Sequence, residues 1–291
     1  DFQRSAEKIR WFYQQSGGPS TDGVMALDPY VLSKLLEIIG PVDMTEEYGV
    51  TVDKDNVVDV LMEDIESKKD TTEPKKIIAD LAPKLLEQIF SSPDIDHVAL
   101  LSALDQLLSE KHLLLAFDDE TLQENVEALG WGGRQLQPTG DYLMIVDTNI
   151  TGGKTDLVME ELADLRVRIE EDGSYTNTLT VTRTHKGDPA DAFSGVMNKD
   201  FMRIYVPKGS TFVSAGGFDS LDPRLFYYPQ EGLEEDADWA SYYQEGFVNA
   251  ETGMQIGQEG GYTVFGNWVL TSAGQSSQVS VTYTLPWKIT A

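Results

Sequence analysis

From Gly23 to Leu27 the chain is apolar and short enough for a strand, and it runs directly into Asp28-Pro29. An Asp side chain accepts from the unpaired N–H groups of a first helical turn. Pro at the first helical position loses nothing, because its N–H would be unpaired there anyway. Val31, Leu32, Leu35, Leu36 and Ile39 then fall on one stripe, so the pattern predicts a helix packed on a core. Gly40 is expected to take a left-handed turn and Pro41 to forbid continuation. Upstream, Ile9, Phe12 and Tyr13 at helical spacing predict a helix over residues 2–15, broken by SGGPST. Downstream, two helical patterns over 55–90 flank the polar run ESKKDTTEP, with Pro74 suited to the second start. A third begins around Ser92-Pro93-Asp94 and carries Ile95, Val98, Leu101, Leu104 and Leu108. HLLLAF (112–117) reads as a strand, and DDETLQENVEALG as a capped helix ending at Gly130.

After WGGRQLQPTGD the period changes from helical to alternating. Leu165, Val167 and Ile169 alternate with Arg166, Arg168 and Glu170, and Val279, Val281, Tyr283 and Leu285 with Ser280, Thr282 and Thr284. About seven or eight such Thr- and Tyr-rich runs separated by turns predict an antiparallel β-sandwich of the Ig-like kind. The expected architecture is an α/β (or α+β) domain over 1–139 followed by a β-sandwich over 140–291. Length alone also favours two domains for 291 residues.

Charge changes this picture more than hydropathy does. There are 22 Lys+Arg against 49 Asp+Glu, a formal charge of -27. Such a surface repels phosphate backbones and anionic lipid, which argues against nucleic acid as a partner and against electrostatic membrane docking. The absence of cysteine removes disulfides, Cys-ligated zinc and thiol nucleophiles. No apolar run approaches the ~18 to 20 residues of a spanning helix. The amphipathic start reads as a segment of something longer, with any anchor lying before Asp1.

Several motifs carry candidate chemistry. TGGKT (151–155) ends like a phosphate loop, but Thr148 stands where that loop needs glycine and no helix follows. It reads instead as a turn at the junction of the two domains, with Asn149, Lys154 and Asp156 as its hydrogen-bonding members. The acidic runs DKDN (53–56), DID (94–96) and EEDAD (234–238) lack calcium-loop spacing and read as solvated surface. His97, His112 and His185 are far apart in sequence, and no serine sits in a nucleophile elbow, so neither a zinc site nor a hydrolase is indicated. Between Phe218 and Phe247, Phe226, Tyr227, Tyr228, Trp239, Tyr242 and Tyr243 are mixed with carboxylates. Tyr227, Tyr228, Trp239 and Tyr242 are candidate glycan contacts, while the structural reading makes them anchors of a long excursion between strands.

DGVMALDPYVLSKLLEIIGPV, DNVVDVL, ALGWGG, DYLMIVDTNITGGKTD, FMRIYVPKGS and YTVFGNW…VSVTYTLP occur in this order along the chain. Together they resemble a bacterial family known only as a domain of unknown function, number four thousand and twelve. The resemblance implies an extracytoplasmic, cell-surface protein tethered by an N-terminal transmembrane helix upstream of this chain, and no known activity. The first half is also faintly similar to the LytR-CpsA-Psr envelope proteins, and on that comparison is expected to lack its first strands. Those enzymes transfer glycan from a polyprenyl pyrophosphate held by arginines on and before a later helix. The corresponding stretch here offers Lys68, Lys69, Lys75 and Lys76 and no arginine. Lysine binds phosphate as a point charge without the bidentate fork. The similarity makes Lys75 and Lys76 candidate ligand contacts, and one of Asp22 and Asp28 a candidate magnesium ligand. The helix-start signal accounts for Asp28 without a ligand, and Asp22 reads equally as a turn residue.

The sequence therefore supports a non-catalytic envelope module, a surface scaffold or recognition protein, with no cofactor expected and an envelope glycan or surface protein as partner. Membrane contact would come only through the upstream anchor. A polyprenyl-phosphate-dependent glycan transferase, using magnesium, and a carbohydrate-binding protein are the alternatives. A carrier lipid would need an apolar channel, expected at Val31, Leu35, Ile78 and Leu85.

Overall fold

The chain divides by its contacts into two units, Asp1–Leu136 and Gln137–Ala291. The computed structural model describes residues 1–68, 72–73, 75–93, 95–135, 137, 139–150, 154–192, 194–222, 232 and 236–289.

In the first unit, α1 (Phe2–Gln15) is followed by β1 (Gly23–Leu27) and α2 (Pro29–Ile39). Asp28 caps α2 through its side chain, and Val31, Leu36 and Ile39 are buried, as the stripe predicts. Gly40 ends the helix with φ 83 but ψ 178, so the chain leaves in an extended direction and not in the left-handed turn expected. Pro41 follows, and the chain enters a small hairpin of β2 (Val42–Met44) and β3 (Val50–Val52) around the single turn α3 (Thr45–Tyr48). Helices α4 (Val57–Ser67), α5 (Lys76–Ser91) and α6 (His97–Ser109) follow. Helix α6 starts later than the Ser92-Pro93-Asp94 signal suggests, because the Asp96 carboxylate accepts from Val98 and Ala99 N–H and sets the start there. Then β4 (Leu113–Phe117) pairs antiparallel with β1, and α7 (Glu120–Ala128) closes the unit. Both small sheets are antiparallel, which makes the unit α+β. Its interior has two clusters: Leu36, Ile39, Met44, Val52, Ile77, Leu81 and Leu85 in one, Val31, Leu107, Leu108 and Leu113 in the other.

The second unit is built from antiparallel strands. These are β5 (Met144–Val146), β6 (Met159–Ile169), β7 (Ser174–His185), β8 (Asn198–Pro207) and β9 (Thr211–Gly216). After the short α8 (Ala237–Tyr242) come β10 (Tyr243–Val248), β11 (Gln255–Glu259), β12 (Tyr262–Thr271) and β13 (Ser276–Lys288). One sheet has the order β10-β11-β12-β8-β5, the other β6-β7-β13-β9. Met202, Ile204 and Phe265 from the first sheet and Leu179, Val181, Val281 and Tyr283 from the second share one core, which makes the pair a sandwich. Alternation along β7 and β13 was legible because each has one face on this core. Strand β6 is different: its alternation predicts one buried face, yet ten of its positions are exposed and only Met159 is half-buried.

Candidate functional site

Strand β1 carries Asp22 just before it and Asp28 just after it. At about 3.3 Å per residue the two carboxylates are roughly 20 Å apart, so they cannot share one ion. Asp22 is exposed, and its carbonyl accepts from Asp118 N–H at 2.9 Å. Arg10 of α1 reaches the same corner, bonding the Thr21 carbonyl at 2.6 Å and pairing with Asp118. Asp28 Oδ1 accepts from Tyr30 N–H at 3.0 Å, and Oδ2 lies 2.6 Å from His112 Nδ1. His112, at the mouth of β4, is a partner the sequence did not suggest; the β1–β4 register supplies it, since Leu27 stands opposite Leu113.

Lys75 and Lys76 are exposed at the start of α5. That helix packs on α4 and β2, whereas β1 is flanked by β4 and α1. Lys68 is drawn to Asp64 at 2.5 Å and lies over the Tyr48 ring. Lys69 and Pro74 lie outside the described residues. Of the four side chains expected along a carrier channel, Leu85 belongs to one core cluster, Val31 and Leu35 belong to the other, and Ile78 is exposed.

Tyr227 and Tyr228 also lie outside the described residues. Trp239 and Tyr242 are on α8, and Tyr243 opens β10. Asp236 caps this helix by accepting from Asp238 N–H. Trp239 stacks on Tyr243 with centroids 5.3 Å apart and planes 10° from parallel, while Tyr242 lies tilted at 6.4 Å. Trp239 remains 51% exposed, so this is a shelf with one aromatic face open to solvent.

The densest polar constellation is one the sequence did not single out. Arg183 lies on the inward row of β7 with Leu179 and Val181 and is 3% exposed. Its Nη1 is 2.5 Å from Asp147 and 2.6 Å from Asp200, with Glu161 of β6 at 3.7 Å. Nη2 approaches Asn198 at 3.5 Å and Asp156 at 3.9 Å. Asp200 also accepts from Thr148 N–H at 2.5 Å. Buried Thr155 receives Asn198 Nδ2 at 3.0 Å and Asn149 Nδ2 at 3.3 Å. His185, next on the same row, accepts from Gly187 N–H at Nδ1, and its Nε2 lies 3.0 Å from the Val196 carbonyl, which fixes the Nε2-protonated tautomer. Four carboxylates thus surround one guanidinium. Burial and the neighbouring Asp147 push Asp200 up to about 7, against the pull of Arg183, and the same causes push Glu161 up to about 7. The signal available in the sequence was a charge at the inward parity of a strand that places Leu179 and Val181 on the same face.

This places the TGGKT turn. Residues 151–153 lie outside the described residues; Thr155 opens a 3-10 turn, Thr155–Val158, that leads into β6. The N–H donors of an α-helix that a phosphate loop needs are not supplied there. The segment joins β5 to β6 inside the second unit, because both strands pair with strands of that unit, and so it is not the junction between units. Asn149 and Asp156 take the hydrogen-bonding places expected of them. The acidic runs also resolve into local roles: Asp53 accepts from Asp55 and Asn56 N–H, Asp96 caps α6, and Asp236 caps α8. Among the described residues no group of three or more His, Asp or Glu converges to hold a metal ion, and no helix is long and apolar enough to cross a membrane.

Residues 1–65 match the family described as Protein of unknown function (DUF4012), the family that the ordered motifs resemble. No curated protein and no solved structure matches the chain.

Proposed function

We propose that the chain is a non-catalytic recognition module of the bacterial cell envelope, displayed outside the cytoplasm, whose β-sandwich unit binds an envelope glycan through the Trp239 shelf. The observation that carries this reading is the contrast between two clusters in that unit. Around Arg183, acids, amides and a hydroxyl converge, but they face one another around the buried Arg183–Asp200 pair, with Asp147, Glu161 and Asp156 at its partly exposed rim. Around Trp239, half of the indole surface is open to solvent on the side away from Tyr243, the kind of flat aromatic face that stacks on a sugar ring. The same contrast favours recognition over reaction: the groups with chemical potential are occupied in structure, and the exposed ones offer binding area.

The test is an array of envelope glycans, including peptidoglycan fragments, probed with the chain and with Trp239→Ala. Binding that falls about tenfold on loss of the indole is expected, the scale of one aromatic contact. An array with no bound glycan, or binding indifferent to Trp239, would sink the glycan reading.

A second reading, the polyprenyl-phosphate-dependent transferase, has one observation in its favour: Lys75 and Lys76 stand exposed at the N-terminus of α5, where helix and side chains both favour an anion. Against it, α5 packs away from β1 and its acids, and the expected channel residues divide between two clusters and the surface. Native mass spectrometry with a short polyprenyl pyrophosphate and magnesium separates the two. Stoichiometric binding lost in Lys75→Ala/Lys76→Ala would replace the recognition module with the transferase.

A further inference from the structure

We propose that β6 is a homotypic docking edge: two copies of the chain pair their β6 strands antiparallel about a two-fold axis at Leu165, joining their four-stranded sheets into one. This deepens the reading of the chain as a display module by making a second copy its partner.

The sandwich has four sheet edges, and three are guarded. Strand β5 has three residues. Strands β9 and β10 have six each, and their ladders are broken by register shifts, opposite Thr282/Tyr283 and between Gln244 and Phe247. Short or bulged edges resist pairing with another chain. Strand β6 has eleven residues, contains no proline, and pairs with β7 without a break from Met159↔His185 to Ile169↔Tyr175. Among the described residues no strand pairs with its other side.

Residues opposite each other in a ladder share a face, so Ala163, Leu165 and Val167 stand beside Val181, Leu179 and Asn177, all three buried. Leu165 and Val167 nevertheless remain 38% and 52% exposed, and Ile169 57%. The apolar row of the core thus continues onto an edge strand that nothing in the opposite sheet covers.

Charge identifies the occupant. In a chain of net charge -27, most faces repel a second copy. The outer face of β6 instead carries both signs, in the order Glu160, Asp164, Arg166, Arg168; Asp164 and Arg166, both largely exposed, pair with each other at 2.9 Å within one chain and would exchange partners across the two-fold. A two-fold at Leu165 sets Asp164 opposite Arg166 of the second copy twice over, Leu165 opposite Leu165, and Ala163 opposite Val167. A two-fold at Asp164 sets that carboxylate against itself, and one at Arg166 does the same to the guanidinium. A two-fold at Ala163 sets Leu165 against Glu161, and one at Val167 sets Arg166 against Arg168. Of these five registers, only the one at Leu165 matches apolar to apolar and opposite to opposite over the five residues around its axis; farther out it sets Leu162 against Arg168 and Glu161 against Ile169.

Sedimentation velocity of the full chain is expected to show a concentration-dependent dimer. Arg166→Asp places like charges opposite each other at two points and is expected to weaken the dimer about tenfold or more. Asp164→Arg/Arg166→Asp reverses both signs, restores the complementarity and is expected to restore the dimer. These side chains are exposed, so the fold does not depend on them. The chain has no cysteine, so Leu165→Cys supplies a unique thiol that is expected to form a disulfide-linked dimer on mild oxidation. A wild-type chain monomeric at every concentration overturns the proposal. So does a dimer indifferent to Arg166→Asp, a double reversal that stays monomeric, or a Leu165→Cys chain that fails to cross-link. A monomer that still binds glycan through Trp239 removes the pairing and leaves the recognition reading; a β6 dimer that binds no glycan does the reverse.

Discussion

Asp28 is the residue at which the sequence signal and the candidate chemistry compete. Its Oδ1 is committed to Tyr30 N–H and its Oδ2 to His112, so both oxygens serve the join between β1, α2 and the entrance to β4. Asp28→Ala is expected to cost about 1 kcal/mol, the usual value of a helix cap. Asp28→Asn keeps an accepting oxygen for Tyr30 and is expected to recover most of that. Urea denaturation curves of the two variants decide the point: equal losses would mean that the His112 contact, and not the cap, is what the residue supplies. Arg183 makes the opposite lesson at the same scale. Nothing within four positions of it in sequence explains its burial; Asp147, Glu161 and Asp200 reach it from three other strands or loops.

At the scale of elements, a strand contributes according to what lies across from it and not according to its own alternation. Strand β12 is central in its sheet, and Phe265 is fully buried against Phe212 and Tyr283. Phe265→Ala is expected to cost about 3 to 5 kcal/mol, the range for an aromatic deleted from a close-packed core. Leu162 on β6 has the same apolar character but is 70% exposed, and Leu162→Ala is expected to stay within about 0.5 kcal/mol. Thermal or urea unfolding followed by near-ultraviolet circular dichroism measures both. A large loss at Leu162 in dilute protein would mean that β6 is covered within a single chain. Leu162 lies at the opposite parity to Leu165, Val167 and Ile169, on the outer face of β6.

For the whole molecule, charge sets the dependence on pH. Asp200 and Glu161 are both held up to about 7, against an unfolded carboxylate near 4. Between those values the folded chain keeps protons that the unfolded chain has released, so stability falls as pH rises through the window. Growing self-repulsion of an acidic surface acts in the same direction. The opposite group, Asp43, Glu37, Glu170 and Asp172, is pulled below the ordinary range by hydrogen bonds from Thr45, Lys34, Thr176 and Lys288. It withdraws stability only as pH falls below about 4. The melting temperature is therefore expected to be higher near pH 5 than near pH 8. The gap should narrow in Asp200→Asn, which stays neutral in both states. A melting temperature rising from pH 5 to pH 8 would contradict the buried proton at this cluster.

The sequence by itself determined what is decided within a few residues: Asp28-Pro29 starts a helix, Gly40-Pro41 ends it, and alternation after Gly140 makes antiparallel strands. These outcomes follow from local sterics, capping and side-chain period, which neighbours in space only reinforce. It also carried, in DGVMALDPYVLSKLLEIIGPV and DNVVDVL, a family likeness that is matched over residues 1–65. Only the tertiary structure decided which strand became an edge, which acids met Arg183, that His112 stands beside Asp28, and that the TGGKT segment lies inside the sandwich unit. Those depend on register between segments that can lie a hundred residues apart. A one-residue slip in pairing turns an inward row outward, so no local pattern along the chain can specify them.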